Sequence, residues 1–256
     1  MVKKIDINCD MGESFGNWIH GNDREVMKFI TSANVACGFH AGDPTVMMRT
    51  VEWAKQHNVA VGSHTGLPDL MGFGRREMKI TPEEARCYTL YQTGALKGFL
   101  DAAKMKLQHV KPHGAMYTIL KKSEEMSAAI CDAILEIDPN LYWFMPVPNL
   151  SATVARDHGV KVVGELYVDM DYASDGSLMV RRDQHLHESN PKETAAKIIR
   201  FLDEGKVRAV DGKDLEIEAQ SVCVHGDSRN AVQTLETIRA ELKKANVEVV
   251  PVSKIM

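Results

Sequence analysis

The sequence predicts an α/β fold, a seven-stranded parallel β/α barrel that takes residues 1–256 as a single domain. Three observations lead there. Short apolar runs rich in β-branched residues alternate with longer helical patterns, as in successive βα units. Unusual polar residues recur just after those runs, at the strand ends where parallel barrels carry their chemistry. The length of 256 residues suits one such barrel, which commonly needs ~250 residues.

Strands are expected at 4–9, 33–38, 59–63, 109–112, 142–147, 160–168 and 221–224. An eighth apolar run at 247–252 is a further strand or an edge piece. Helix starts fall between them. Asp43-Pro44 places a capping carboxylate before a proline at the first helical position, where a missing N–H costs nothing. Thr81-Pro82-Glu83-Glu84 is a capping box, and Asn190-Pro191 repeats the cap-and-proline pattern. Asp227-Ser228 is read as the cap of the last helix, whose Val232, Leu235, Ile238 and Leu242 recur at helical spacing. The long irregular stretches 65–79 and 169–189 have the length of binding loops or lids.

Composition narrows the function classes. The chain is 44% hydrophobic and 26% charged, ordinary for a globular protein. Its net charge is −4 and it has no basic block, so neither nucleic acid nor an anionic membrane is expected as a partner. No apolar run approaches the ~20 residues that span a bilayer. Asp6 and Asp10 interrupt the N-terminal segment, so no signal peptide is expected. Five cysteines with no C-x-x-C pair fit a reducing, cytoplasmic setting.

The chemistry-bearing residues sit at strand ends. Asn8, Asp10 and Glu13 follow the first strand, His40 and Asp43 the second, and His64 the third. Lys111 and His113 end the fourth, Glu165 and Asp169 lie on and after the sixth, and His225 and Asp227 follow the seventh. In a closed parallel sheet these converge on one mouth. Imidazoles with carboxylates are ligands for a divalent metal such as zinc, manganese or iron, which activates water or polarises a carbonyl. A second carboxylate could act as base. Lys111 and the pair Arg75-Arg76 could hold an anionic substrate group. Asp43 and Asp227 are more simply helix caps, and Cys9, Cys37 and Cys223 small buried strand residues; a nucleophilic Cys37 beside His40 is the weaker idea. His20, His57, His109, His158, His185 and His187 fall outside the pattern.

Five blocks then resemble one family: Asp6-Ile7-Asn8-Cys9-Asp10-Met11-Gly12-Glu13, the stretch from Ser32 to Pro44, Pro68 to Arg76, Val110-Lys111-Pro112-His113-Gly114-Ala115, and Cys223-Val224-His225-Gly226-Asp227. The chain resembles the LamB/YcsF family over almost its whole length. That resemblance implies a seven-stranded β/α barrel like those of glycoside hydrolases and carbohydrate deacetylases. It implies the A subunit of an ATP-dependent 5-oxoprolinase, which opens 5-oxoproline to glutamate with subunits B and C. The chain lacks a G-x-x-x-x-G-K-[ST] loop, so ATP is expected to be used by the complex, with the partners handling the nucleotide. Analogy with the deacetylases implies a divalent metal (zinc, manganese or magnesium) on Asp10, His64 and His113. Catalytic roles are then expected for Asp10, Glu13, His40, Lys111 and His225, and substrate contacts for Asn8, Arg75, Arg76 and Asp169. A self-sufficient metal-dependent hydrolase or deacetylase on the same barrel is the alternative. Two departures bear on the substrate. Gly62-Ser63-His64-Thr65-Gly66-Leu67-Pro68-Asp69 replaces the family's usual Gly-Ala-His-Pro-Gly-Tyr-Pro-Asp, and Met170 stands where the family usually has Arg, as expected for action on a different lactam or related cyclic amide.

Overall fold

The computed structural model describes residues 2–179 and 190–256. Seven parallel strands form a closed barrel: β1 (Lys3–Met11), β2 (Ser32–Ala36), β3 (Ala60–His64), β4 (Leu107–Val110), β5 (Tyr142–Met145), β6 (Lys161–Tyr167) and β7 (Ser221–Cys223). Closure is made by Ser221, which is level with Glu165 on one side and with Asp6 on the other. The eighth run supplies β8 (Val247–Val249), parallel to the first three residues of β1. Val250 N donates to Ile5 O and Thr31 N to Ile7 O, so β8 lies on the edge of β1 that β2 takes further along. The expected strands are therefore all present, with ends shifted by up to three residues. Two short antiparallel hairpins, Asp171–Tyr172 with Leu178–Met179 and Lys206–Arg208 with Asp214–Glu216, add to them.

The helices α1 (Asp23–Val26), α2 (Pro44–His57), α3 (Pro82–Ala103), α4 (Gly114–Leu120), α5 (Glu124–Ile137), α6 (Leu150–Asp157), α7 (Pro191–Glu204) and α8 (Ala231–Lys244) complete the described chain. Asp43 caps α2 by accepting from Thr45 and Val46, Thr81 and Glu84 form the capping box of α3, and Asn190 caps α7. The reading of Asp227 as a cap is corrected: α8 is entered through Asn230, and Asp227 instead approaches His20 at 3.5 Å. Part of the second long stretch, 180–189, with His185 and His187, lies outside the described residues.

The apolar core lies outside the barrel, between strands and helices. Ile5, Ile7, Cys9 and Met11 of β1 pack with Leu235, Ile238 and Leu242 of α8 and with Val51 of α2. Trp143 and Met145 of β5 pack with Ile130 and Ile134 of α5. The alternate residues of β1 face inward, and they are polar, whereas β5 turns the apolar Phe144 inward. Asp6 accepts hydrogen bonds from Thr31, Ser32 and Ser221. Asn8 donates to Ser221 at 2.7 Å, and Asn34 donates to Asn8 and Asp10, each at 2.8 Å. On the β1 side the barrel is thus filled by a hydrogen-bonded column rather than by stacked branched side chains.

Burial pushes the Asp6 carboxyl up to about 6, against the three hydroxyl donors, which lower it. A carboxyl raised above its unfolded value binds its proton more tightly in the folded chain. Its ionisation therefore costs stability as pH rises from about 4 through about 6. The stability difference between wild type and Asp6→Asn should change by at most about 3 kcal/mol across that window, with wild type losing ground as pH rises. Denaturant titrations at several pH values measure this, and a pH-independent difference would show that Asp6 is not raised.

Candidate active site

A cavity of about 330 Å³ opens at the C-terminal ends of the strands, bordered by Asp10, His64, Arg75, Lys111, Glu165 and His225 among others. Its far wall is apolar, with Phe144, Pro146, Met170 and Leu178. At its base the Lys111 ammonium lies 2.9 Å from Asp10 Oδ1, 3.3 Å from Glu165 and 3.3 Å from Asn8 Oδ1. Burial opposes the charge of Lys111, but Asp10 and Glu165 prevail and hold the ammonium well above its usual range. Burial likewise opposes ionisation of Asp10, and His64 and Lys111 outweigh it, leaving this carboxyl well below the usual range. Lysine and aspartate are thus a charged pair.

Three histidines stand beside this pair. His64 Nδ1 donates to Lys111 O at 2.8 Å, and His113 Nε2 donates to Phe73 O at 2.8 Å. Carbonyl oxygens only accept, so both tautomers are set. The remaining nitrogens, His64 Nε2 and His113 Nδ1, face each other at 3.0 Å. Two neutral rings held this way oppose lone pair to lone pair, and need a proton or a cation to share. Asp10 Oδ2 lies 3.4 Å from His64 Nε2. The His40 ring stacks on His113 at 3.9 Å, and its Nε2 is 3.4 Å from Glu13 Oε1. His40 is fully buried with neither ring nitrogen hydrogen-bonded. Ligand atoms of Glu13, His40, His64 and His113 lie within 4.8 Å of one another, so this group can hold a metal ion. A far N–H given to a backbone carbonyl is the usual support of a ligating imidazole, and the donor set fits a divalent cation. Burial keeps His40 and His113 well below the ordinary imidazole range, favouring the lone-pair form.

The 65–79 loop builds this wall. Asp69 caps the short turn Leu70–Gly72, and Phe73 meets both His40 and His113 edge-on. Gly74 is required here, because a Cβ on it would come within 2.6 Å of His40 Cβ and its φ is +63°. On the opposite side His225 donates through Nδ1 to Asp169 Oδ2 at 2.9 Å, while its backbone N–H donates to the same oxygen at 2.8 Å. Burial opposes protonation of His225, yet Asp169 prevails and raises the ring to about 9.

The expected residues divide in the structure. Asp10, His64, His113, Lys111, His225 and Arg75 border the cavity. Glu13 and His40 stand directly behind, against the histidine cluster. Three expected substrate contacts are placed elsewhere. Asn8 is fully buried beneath Lys111. Asp169 is engaged by His225. Arg76 turns back to Asp69, its side chain 67% exposed. Cys37 is buried, donates to Val35 O and is pushed up to about 12 by burial, which favours the thiol over the thiolate. Asn34, His20 and His109 join the site without a signal of their own in the strand-end pattern. His20 reaches Glu13 and Asp227 from the β1 loop. Asn34 was detectable from polar residues at every second strand position.

A closed parallel barrel that concentrates its titratable groups at one mouth is the architecture of an enzyme. Residues 5–256 match the LamB/YcsF family, and the chain belongs to that family. It is 48% identical over 248 residues to the 5-oxoprolinase A subunit of Pyrococcus abyssi, covering 97% of each chain. It is 45% identical to the 5-oxoprolinase A subunit of Bacillus licheniformis, covering 97% of this chain and 98% of that one. Its structure is similar to that of a lactam utilization protein from Thermus thermophilus, with TM-score 0.90 and 41% identity over 96% of this chain and 99% of the other.

The Asp169–His225 pair has a pH signature. A histidine raised to about 9 contributes stability that is complete below about 6.5 and lost as pH passes about 9. In Asp169→Asn the burial penalty remains and the opposing charge is gone, so the His225 ring should titrate well below wild type. Ring-proton NMR follows this directly; a variant that still titrates near 9 would assign the shift to another group.

Proposed function

We propose that this chain is the A subunit of an ATP-dependent 5-oxoprolinase, the hydrolase that opens 5-oxo-L-proline, or a closely related lactam, to the amino acid. The supporting observation is the charged Lys111–Asp10 pair beside the histidine cluster, at the mouth of a barrel nearly half identical along its length to proteins named as 5-oxoprolinase A subunits. A five-membered lactam is a stabilised amide and a poor electrophile. Phosphorylation of its oxygen supplies a leaving group, and this step is assigned to subunits B and C. No phosphate-binding G-x-x-x-x-G-K-[ST] loop occurs in this sequence. The present chain then works as a cytoplasmic hydrolase on the activated ring.

The residues divide the work by charge. Arg75, at the rim, holds the substrate's anionic group. Lys111 stabilises negative charge on the phosphorylated oxygen of the reacting carbon. Asp10, held ionised, takes the proton of the attacking water, and the His225 imidazolium gives one to the departing ring nitrogen; the acyl phosphate left behind is hydrolysed by a second water to carboxylate and inorganic phosphate. Glu13, with His40, backs the cluster. A divalent ion on His64 and His113, with Asp10 or with Glu13 and His40, would lower the pKa of bound water toward ~7 and polarise the carbonyl.

Mixed with subunits B and C, the chain should release glutamate from 5-oxo-L-proline only with ATP. Turnover of an N-acetyl sugar or an unactivated lactam by the chain alone with divalent metal would replace this reading with the deacetylase-like one. His64→Ala and His113→Ala should each lower kcat by at least about 100-fold with the melting midpoint retained; near-wild-type turnover removes the residue from the site. Protein purified without chelator should carry a divalent ion by elemental analysis, and a metal-free preparation fully active in chelator would refute the metal assignment.

A further inference from the structure

Below the cavity floor lies a buried pair that the proposed chemistry does not use, His109 of β4 and Asn34 of β2, each fully buried. The His109 ring lies flat between two surfaces. On one side Phe144 stacks at 4.0 Å and 16°. On the other is Gly62, where an added Cβ would overlap the ring. Register explains the approach: Val61 pairs with Leu107 and Gly62 with His109, leaving Gln108 as the extra residue of a bulge. The bulge turns the His109 ring inward over Gly62, and only glycine leaves room for it.

The polar atoms of Asn34 are then all assigned. Lys111 can only donate, so Asn8 Oδ1, 3.3 Å from its Nζ, is an acceptor. The Asn34 group 2.8 Å from that oxygen is therefore its amide nitrogen, which also donates to Asp10 Oδ1 at 2.8 Å. Asn34 Oδ1 faces the opposite way and accepts from His109 Nε2 at 2.7 Å. Burial pushes His109 down to about 3, so the ring is neutral and carries its proton on Nε2. That N–H completes the set of three hydrogen bonds that fix the Asn34 amide, with Asn8 Oδ1 and Asp10 Oδ1 as the acceptors on its other side; losing it leaves Asn34 Oδ1 buried without a donor and loosens the amide's hold on Asp10.

We infer that His109 and Asn34 are positioning residues for catalysis: His109 locks the Asn34 amide, which with Lys111 pins Asp10 Oδ1 and leaves Oδ2 aimed at His64 and the cavity. The role rests on Asp10 acting as proposed above. Neither residue touches substrate; their effect on the reaction runs through Asp10 and through Asn8 to Lys111.

The test uses the chain assembled with subunits B and C. His109→Phe keeps a flat ring between Gly62 and Phe144 but removes the donor. It should lower kcat by about 10- to 100-fold, the usual effect of losing such a support, with KM changed less than about twofold. Asn34→Asp should fall at least as far, since it sets a carboxylate against Asp10. His109→Gln restores an N–H at the Nε2 position and should recover most of the lost kcat. A purely structural role would instead lower the melting midpoint of all three alike, without rescue by glutamine. Ring nitrogen NMR of the wild-type chain gives a readout independent of turnover: His109 should be the Nε2–H tautomer, and the Asn34 side-chain amide protons should be protected from exchange. Absence of ATP-dependent turnover by wild type refutes the function and leaves these spectra to decide the orientation. An active wild type with His109→Phe equally active, or an Nδ1–H tautomer, overturns the positioning role.

Discussion

The ammonium of Lys111, sealed inside the barrel between Asp10 and Glu165, governs what surrounds it. Burying a single charge costs several kcal/mol, and a partner recovers that only when the remaining hydrogen-bonding positions are also filled. The two carboxyl groups beside the ammonium need further donors in a place with little water. Asn34 supplies one to Asp10, and the Tyr167 hydroxyl supplies one to Glu165. A polar interior follows from the charge, and apolar burial must then come from elsewhere. It comes from the layer between strands and helices, where both large clusters of buried hydrophobic side chains lie.

The same constraint divides the cavity. Its charged side is built on strand ends, and two of its histidines are tied to backbone carbonyls. His64 is held by the backbone of Lys111, and His113 by that of Phe73. The other side, with Phe144, Met170 and Leu178, offers shape without directed polar groups. Met170 stands in this wall where the related sequences were expected to carry an arginine, and Arg75 lines the cavity from the 65–79 loop.

Much of this was legible beforehand. The apolar runs located every barrel strand, since β-branched residues bounded by glycine and polar clusters have few other solutions. Asp43, Thr81 and Asn190 marked helix starts, because a capping side chain needs only residues two or three positions on. Asp227 looks the same in sequence, but its nearest partner is His20, far away along the chain. Asn8, Asp169 and Arg76 share the strand-end and loop positions of true cavity residues, and packing alone turns them to Lys111, His225 and Asp69. His109 falls outside the strand-end pattern, and nothing in the chain announces a bulge that rotates its ring against Gly62.

The sequence by itself determined the number of strands, the mouth at which chemistry collects and the family, because local propensity and strand-end position are properties of neighbouring residues. Tertiary structure alone decided which imidazole nitrogens converge, which carboxylate is ionised and which polar residues line the cavity. Those outcomes depend on barrel closure, which brings Asp6 level with Ser221 and Asp10 within reach of Lys111. Charge states and tautomers respond to distances of a few ångströms between strands, and sequence separation does not encode them.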